Sequence, residues 1–372
     1  MRIKEFEYHD KTRGWKLERT KFSDLTLLVG ISGVGKTEIL RAIDTVKNIA
    51  EGGSFSGVEW DIDFSTNDGN EYRWMGAFEK QNDYSEDGFT DRFRKRRFSL
   101  IYERLYRKWE IIVERDDEKI LFKGKETPKL LPDVSTIHTL KEEDDISPAY
   151  NSLKMIYVHN KVIRREIISD KLLKSLQNYH YSKLEEIRNY EIPIIIKFLL
   201  VSEFFKETFE EIKEHFTDLF SNVENIRIKL KQLKDDFVIF SFQIKERGID
   251  NWIPVDRISS GMLKTLYLIC EMYLQPEGTV SLIDEFENGL GINCISILGE
   301  SLSSERKTQY IITSHHPYII NNVGRKHWKV VNRKGGVVTT HDADELLNVK
   351  SHHEAFIRLM NLPEYKDGIV GG

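Results

Sequence analysis

Cysteine is scarce in this chain of 372 residues, which contains only Cys270 and Cys294. Each lies in a stretch whose apolar residues recur at helical spacing. We therefore expect two buried free thiols rather than a disulfide or a metal-binding pair. Such cysteine usage fits a reducing compartment.

The sequence also lacks a long apolar run. The longest, residues 192–201, is interrupted by Pro193 and Lys197 and is too short to span a bilayer. The N-terminal sequence MRIKEFEYHDKTRGW has no apolar segment of the kind found in signal peptides. We therefore expect a cytoplasmic protein that does not cross a membrane.

A strong excess of charge is absent as well. With 55 basic and 60 acidic residues the net charge is −5, so the overall field does not favour nucleic acid or an anionic membrane. Any such contact would have to come from a local patch. The 40% hydrophobic and 31% charged residues are typical of a globular protein, and the length suffices for one elaborated domain or two modest ones.

An α/β alternation opens and closes the chain. Residues 25–29 (LTLLV) predict a strand that ends at Gly30, and a helix-compatible segment follows at 37–50. After a strand pair near 237–242 and 252–255, the alternation resumes. It predicts a helix at 262–274, a strand at 280–283, a helix at 292–302 and strands at 310–313 and 328–331.

Two segments of different character interrupt this core. Residues 52–131 contain short aromatic-rich strands, such as 72–78 and 109–113, separated by Gly and Asn/Asp turns, which predicts an antiparallel β lobe. Residues 163–232 repeat apolar side chains at helical spacing without sustained heptads, which favours a compact helical lobe over a coiled coil.

We therefore predict one discontinuous α/β domain. Its core comprises residues of about 1–55, 150–162 and 236–372, the β lobe about 56–135 and the helical lobe about 163–235. The segment 153–159 is predicted to return the chain to a core strand.

The segment from Gly30 to Thr37, GISGVGKT, fits the pattern G-x-x-x-x-G-K-[ST] between a strand and a helix. Glycines allow the backbone N–H groups to wrap a polyphosphate, and the helix N-terminus adds partial positive charge. Lys36 would contact the terminal phosphates and Thr37 would hold Mg²⁺. The predicted nucleotide-binding residues are Gly30, Ser32, Gly33, Val34, Gly35, Lys36, Thr37 and Glu38.

A second motif, SLIDE, places two acids after a predicted apolar strand. Asp284 at the strand end is a candidate Mg²⁺ ligand, and Glu285 is a candidate to polarise the attacking water. Alone, an Asp-Glu pair after a strand is often a turn or a helix N-terminus. The phosphate loop upstream favours the catalytic interpretation.

A third segment, Ile258-Ser259-Ser260-Gly261-Met262, precedes a predicted helix, and either serine is a natural N-cap. It also resembles the L-S-G-G-[QE] signature of ABC-type ATPases, and more closely the S-S-G version of the SMC-like and OLD-like branch. The resemblance implies that Ser259, Ser260 and Gly261 bind the γ-phosphate held by an opposite subunit. Met262 departs from the usual Gln or Glu.

Further segments support this resemblance. ITSHHP resembles the switch-histidine loop, commonly T-H-S-P, which implies a catalytic role for His315, with His316 as the alternative. ENGL at 287–290 resembles the family's E-N-G-L-H-P, although Gly-Ile replaces His-Pro, and Gln81 is a candidate for the Q-loop residue. The resemblance implies an ABC-type P-loop NTPase core with ATP and Mg²⁺ as cofactors and a homodimer that sandwiches ATP.

The opening EFEYHD…W before LLVGISGVGKT and the ending HEAFIRLMNLPEYKDGIVGG resemble the stand-alone ATPases of bacterial anti-phage systems, such as those of PARIS, Septu and retron-associated operons. It ends about 55 residues after His315, too few for the nuclease domain of OLD-like enzymes. We therefore expect a sensor or scaffold for a separate, co-encoded effector such as a nuclease.

Two alternative functions remain open. One is a DNA-repair ATPase that grips nucleic acid through the basic patch RFRKRRF at 92–98, although a solvated hairpin face also explains that patch. The other is an interaction module that uses ATP only as a structural ligand.

Overall fold

The computed structural model describes residues 1–81, 97–159, 163–233, 236–287, 308–346 and 369–370. The chain divides into two compact units. The first comprises Met1–Val158, Gly278–Glu285 and Lys307–Gly372, and the second comprises His159–Glu277 and Phe286–Arg306.

The strands are, in chain order, β1 (Arg2–Asp10), β2 (Trp15–Lys21), β3 (Leu25–Val29), β4 (Val58–Ser65), β5 (Glu71–Phe78), β6 (Leu100–Arg107), β7 (Glu110–Arg115), β8 (Ile120–Phe122), β9 (Lys125–Glu126), β10 (Ile156–Val158), β11 (Glu166–Ser169), β12 (Val223–Gln232), β13 (Phe237–Glu246), β14 (Ile253–Pro254), β15 (Val280–Ile283), β16 (Gln309–Thr313), β17 (Trp328–Lys334), β18 (Val337–Asp342) and β19 (Ile369–Val370). The helices are α1 (Lys36–Ala50), α2 (Thr136–Thr139), α3 (Ser147–Lys154), α4 (Asp170–Gln177), α5 (Leu184–Asn189), α6 (Ile194–Phe204), α7 (Lys206–Leu219), α8 (Ser260–Leu274), α9 (Pro317–Asn322) and α10 (Ala343–Leu346). Short 3₁₀ turns lie at Val255–Arg257 and Arg325–His327.

One large sheet forms the first unit. Its strand order is β10-β15-β16-β3-β17-β18-β2-β1-β4-β5-β6-β7-β8-β9, and β19 pairs with β17. The strands from β10 to β17 along this order are parallel, whereas those from β2 to β9 are antiparallel. The predicted antiparallel β lobe is thus confirmed, and it continues the core sheet through β1.

Burial explains why the parallel part forms. Every residue of β3, β15 and β16 is buried, as expected for parallel strands covered on both faces. Helix α1 buries Ile39, Ile43 and Val46, which recur at three- to four-residue spacing on one face. Parallel neighbours end at the same edge, so the loops after β3, β15 and β16 leave the sheet together.

The antiparallel part follows the strict alternation of its sequence. In β4, Trp60, Ile62 and Phe64 are buried, while the residues between them are more exposed. Trp60 and Trp74 meet edge to face with ring centroids 5.0 Å apart. This aromatic layer supplies the hydrophobic face of the lobe.

One buried ion pair braces the end of the lobe. Glu103 is fully buried, and its carboxylate accepts from Trp74 Nε1 at 2.9 Å and from the backbone N–H of Thr136 at 2.6 Å. Arg115 Nη1 lies 4.0 Å from the Glu103 carboxylate and donates to the carbonyl of Val134 at 2.8 Å. The pair therefore fixes the segment that leads into α2.

The second unit combines helices with a smaller sheet in which β13 pairs with β11, β12 and β14. Phe242 of β13 lies 5.3 Å from Phe198 of α6 and 5.4 Å from Tyr267 of α8, measured between ring centroids. One face of this sheet is therefore covered by helices. Within the described residues, every helix is too short or too polar to cross a membrane.

The prediction that 163–232 is helical throughout is wrong at both ends, where β11 and β12 form instead. In β12, Ile226, Ile228 and Leu230 alternate with basic residues, a period of two that pairing with β13 completes. The prediction for Cys270 holds, because this thiol is fully buried in α8 and burial raises its pKa. Cys294 and the predicted helix at 292–302 lie outside the described residues.

Candidate nucleotide-binding site

The loop between β3 and α1 needs its glycines for steric reasons. Gly35 is the N-cap of α1 with φ 105°, and a Cβ there would lie 3.0 Å from a methyl group of Val338. A Cβ on Gly30 would come within 2.8 Å of the carbonyl oxygen of Val331. Both contacts come from strands of the same sheet, so side chains at these positions would push the loop away from it.

Lys36 hydrogen-bonds to the start of the loop that precedes it. Its Nζ donates to the carbonyls of Gly30 at 2.6 Å and Ile31 at 2.9 Å. Ser32 is exposed, whereas the side chain of Val34 is fully buried, so only the backbone of Val34 is suited to contact a ligand. The ammonium group, the loop and the N-terminus of α1 together form an environment that favours a polyphosphate.

Glu38, predicted to contact nucleotide, is held by ion pairs in the first turn of α1. Its carboxylate accepts from Arg13 Nη1 at 2.9 Å and from Arg41 Nη1 at 2.6 Å. Arg13 lies in the turn between β1 and β2 and also contacts Asp10 at 2.6 Å, a hydrogen bond that raises the pKa of Arg13. The sequence did not reveal this link between the β1–β2 turn and the phosphate loop.

Asp284, the residue directly after β15, connects the acidic pair to the phosphate loop by a hydrogen bond. Thr37 Oγ1 donates to Asp284 Oδ1 at 3.0 Å, and Thr313 Oγ1 donates to the same oxygen at 2.7 Å. Two residues predicted to share Mg²⁺, Thr37 and Asp284, are therefore adjacent. A hydroxyl and a carboxylate oxygen are hard ligands of the kind that Mg²⁺ prefers, so these residues fit that ion.

Glu285 departs from the backbone conformation of the strand that precedes it. Its φ is 44°, a left-handed conformation that is unfavourable for a residue with a side chain, and it is exposed. Its backbone N–H donates to Thr313 Oγ1 at 2.8 Å, which helps to offset the strain.

Thr313 is a site residue that the sequence did not reveal. Its hydroxyl contacts both members of the acidic pair, and its side chain is 1% exposed at the end of β16. The available signal was a hydroxyl residue directly after the apolar pair Ile311-Ile312 at the end of β16. Recognising it required the pairing of β16 with β15, which aligns Ile312 with Ile283.

The histidine loop follows β16. Ser314 is fully buried, and its Oγ accepts from the backbone N–H of His316 at 3.1 Å. The carbonyl of His316, the residue directly before α9, accepts from Ile319 N and Ile320 N, whereas His315 is exposed. The assignment of His315 rather than His316 as the switch histidine stays a prediction.

The signature segment belongs to the second unit. Ser259 Oγ accepts from the backbone N–H of Met262 at 3.2 Å, so Ser259 is the N-cap of α8, as the simpler interpretation predicted. Ser259 and Ser260 are exposed, and Gly261 is partly exposed. A role for these three residues toward a partner's nucleotide stays a prediction.

Other predicted features add little to the site. The ENGL segment beyond Glu287 and the basic patch up to Arg96 lie outside the described residues. Arg97 pairs with Asp133 at 2.8 Å. Gln81 is exposed, and its backbone N–H donates to Ser56 Oγ at 2.9 Å, which leaves its Q-loop role a prediction.

Comparison with known families gives a match over residues 25–321 to the family described as "AAA domain, putative AbiEii toxin, Type IV TA system". Among solved structures, the SMC head bound to the C-winged helix domain of ScpA is 14% identical, with a TM-score of 0.50, over 93% of this chain and 100% of that chain. The SMC head domain from Thermotoga maritima is 15% identical, with a TM-score of 0.44, over 92% and 99%. The fold is thus that of an ABC-type ATPase head, as the motifs predicted.

A shorter stretch resembles the thiol:disulfide interchange protein DsbA of Buchnera aphidicola subsp. Baizongia pistaciae, with 27% identity over 140 residues. The match covers 35% of this chain and 64% of that protein, so the chain spans less than two thirds of this relative's length. Cys270 and Cys294 are too far apart in sequence to form a Cys-x-x-Cys motif.

Proposed function

The chain belongs to this AAA-domain family and has an SMC-like ABC-type ATPase fold, and we propose that it binds and hydrolyses ATP in a homodimer that controls a separate effector. The observation that carries the catalytic part is the meeting of Thr37, Asp284 and Thr313 beside the phosphate loop. Helix α1 and the ends of strands β15 and β16 bring these groups together, which a glycine turn without function would not require.

Each site residue has a distinct proposed role. Lys36 contacts the terminal phosphates, and Thr37 and Asp284 hold Mg²⁺, which would neutralise phosphate charge. Glu285 orients and polarises the attacking water. His315 donates to the γ-phosphate. The exposure of Glu285 beside the partly buried Asp284 supports dividing water activation from metal binding between them.

The second half of the site is proposed to come from another copy of the chain. Ser259, Ser260 and Gly261 stand at the N-terminus of α8, where backbone amides and the helix dipole favour an anion. The exposure of both serines supports binding of a γ-phosphate in trans. ATP would then favour the closed dimer, and hydrolysis would release it.

The biological role is proposed from the resemblance to stand-alone ATPases of anti-phage systems. The toxin–antitoxin wording of the matched family supports a part in such a system. We place the protein in the cytoplasm, as a sensor or scaffold whose effector, such as a nuclease, is a separate polypeptide.

The test of the catalytic proposal is Glu285→Gln. Loss of the carboxylate should lower ATP turnover by at least about 100-fold, while ATP-bound dimers accumulate and are detected by size-exclusion chromatography with light scattering. Glu110→Gln, a change of the same kind at an exposed position of β7, should leave turnover and mass unchanged. Normal turnover in Glu285→Gln would refute the assignment.

A further inference from the structure

The sheet of the second unit has one face covered by helices and one face turned away from them. Val238, Phe240, Phe242 and Ile244 of β13 are buried and alternate with the residues of the opposite face. We define the cationic face by six residues on that opposite side: Arg227, Lys229, Lys231, Lys245, Phe237 and Ile167.

All the charged side chains of the cationic face are positive. Side chains alternate between the two faces along β11, β12 and β13, and among the described residues of these strands no carboxylate falls on this side. Lys229 and Lys231 are exposed. Glu224 lies 3.8 Å from Lys245, where the pairing of β12 and β13 is irregular. This concentration of positive charge contrasts with the net charge of −5.

Arg227 is held in one orientation. Its guanidinium lies 4.0 Å over the ring of Trp252, and its Nε and Nη2 donate to Gln243 Oε1 at 3.0 and 2.9 Å. Gln243 is only 5% exposed and so provides a fixed acceptor. A guanidinium fixed by stacking and by a buried amide loses little freedom when it binds an anion.

The spacing of the cations along β12 and the exposed apolar residues beside them indicate which class of anionic ligand fits this face. Arg227, Lys229 and Lys231 occupy alternate positions of β12 and therefore recur about every 7 Å along one line. Phe237 is 45% exposed and Ile167 is 53% exposed on the same side. A row of cations beside exposed apolar and aromatic surface suits a flexible chain of phosphates with unstacked bases.

We propose that the cationic face binds single-stranded nucleic acid. Phosphates would lie along Arg227, Lys229 and Lys231, and bases would contact Phe237. An acidic polypeptide would satisfy the cations but does not carry a planar group beside every negative charge, as a single-stranded nucleic acid does, and a duplex keeps its bases inside. Binding does not rest on the proposed ATPase activity, because every residue invoked lies in the second unit, away from the phosphate loop in sequence.

The first experiment measures fluorescence anisotropy of labelled oligo-dT, oligo-rU and a mixed-sequence duplex with the full chain. Three phosphate contacts predict a slope of about −2 in log K against log salt, so affinity for single strands should fall about 20-fold between 50 and 200 mM salt. The dT and rU arms distinguish DNA from RNA. No binding at 50 mM salt, or tighter binding of the duplex, would overturn the proposal.

Matched variants locate the site. Lys229→Gln with Lys231→Gln should weaken binding and reduce the salt slope by about 1.4, since two contacts are lost. Lys171→Gln with Lys183→Gln removes the same charge from exposed positions outside this sheet and should bind like wild type. Equal weakening in both double variants would overturn the assignment of the face.

Two further variants separate stacking from charge and binding from hydrolysis. Phe237→Ala should weaken single-strand binding about fivefold or more with an unchanged salt slope. Unchanged binding would exclude the stacking contact and with it the proposed class of ligand. Lys36→Ala should abolish ATP turnover yet bind oligonucleotides normally, so that failure of either proposal is seen separately.

Discussion

Replacing Thr313 with valine removes one hydroxyl from the site and keeps the shape of a buried side chain. That hydroxyl donates to Asp284 at 2.7 Å and accepts from the backbone of Glu285 at 2.8 Å. Hydrogen bonds to charged groups contribute about 1.5–3 kcal/mol each. If the bond to Asp284 stabilises only the transition state, its loss lowers the rate of hydrolysis by a factor of about 10 to 100. We expect Thr313→Val to lower ATP turnover by about this factor.

The assay is steady-state phosphate release at several Mg²⁺ concentrations. Because Asp284 loses a donor that orients it, Thr313→Val should also need more Mg²⁺ for half-maximal activity. Thr313→Ser retains the hydroxyl and should behave nearly as wild type. Thermal unfolding of each variant separates a catalytic loss from a loss of folded protein.

Two results would refute a positioning role for Thr313. The first is a Thr313→Val variant with wild-type turnover and unchanged dependence on Mg²⁺. The second is equal impairment of Thr313→Val and Thr313→Ser, which would show that packing rather than the hydroxyl matters.

Two predictions concern stability rather than turnover. Burial lowers the pKa of Lys197 to about 8. Above that pH the unfolded chain binds more protons than the folded chain, so the free energy of unfolding should rise with pH. Urea unfolding should show that Lys197→Met removes about 2 kcal/mol of this rise between pH 8 and 10. An identical pH dependence in the variant would contradict this cause. Glu103→Gln should destabilise the first unit by about 3 kcal/mol, because Arg115 loses its buried counter-charge, whereas exposed Glu126→Gln should have no effect in the same titration. Equal unfolding midpoints would contradict the role of the ion pair.

The elements nearest the site were predictable because their signals are local. The apolar run of β3, the glycine loop and the amphipathic pattern of α1 lie together in the sequence, and the structure confirms all three. The strand before Asp284 and the helix after Ser259 were predicted for the same reason. Each signal depends on residues within one turn or one strand.

The features that were missed depend on contacts far apart in sequence. That the β lobe continues the core sheet follows from the pairing of β1 with β4 and of β2 with β18, which no local pattern specifies. The roles of Thr313 and Arg13 likewise required neighbours from other strands. The strand β12 was misassigned because the Lys- and Glu-rich helical pattern of α7 directly precedes it, although its alternation was already present in the sequence.

The central claim, that two copies share each nucleotide, is tested most directly by mixing two inactive variants. Lys36→Ala disables the phosphate loop, and Ser259→Asp preserves the N-cap of α8 while it places negative charge where the partner's γ-phosphate would bind. Each variant alone should be inactive. An equal mixture should recover about a quarter of wild-type turnover, because half of the dimers then contain one intact site. A mixture as inactive as its components would contradict the shared site.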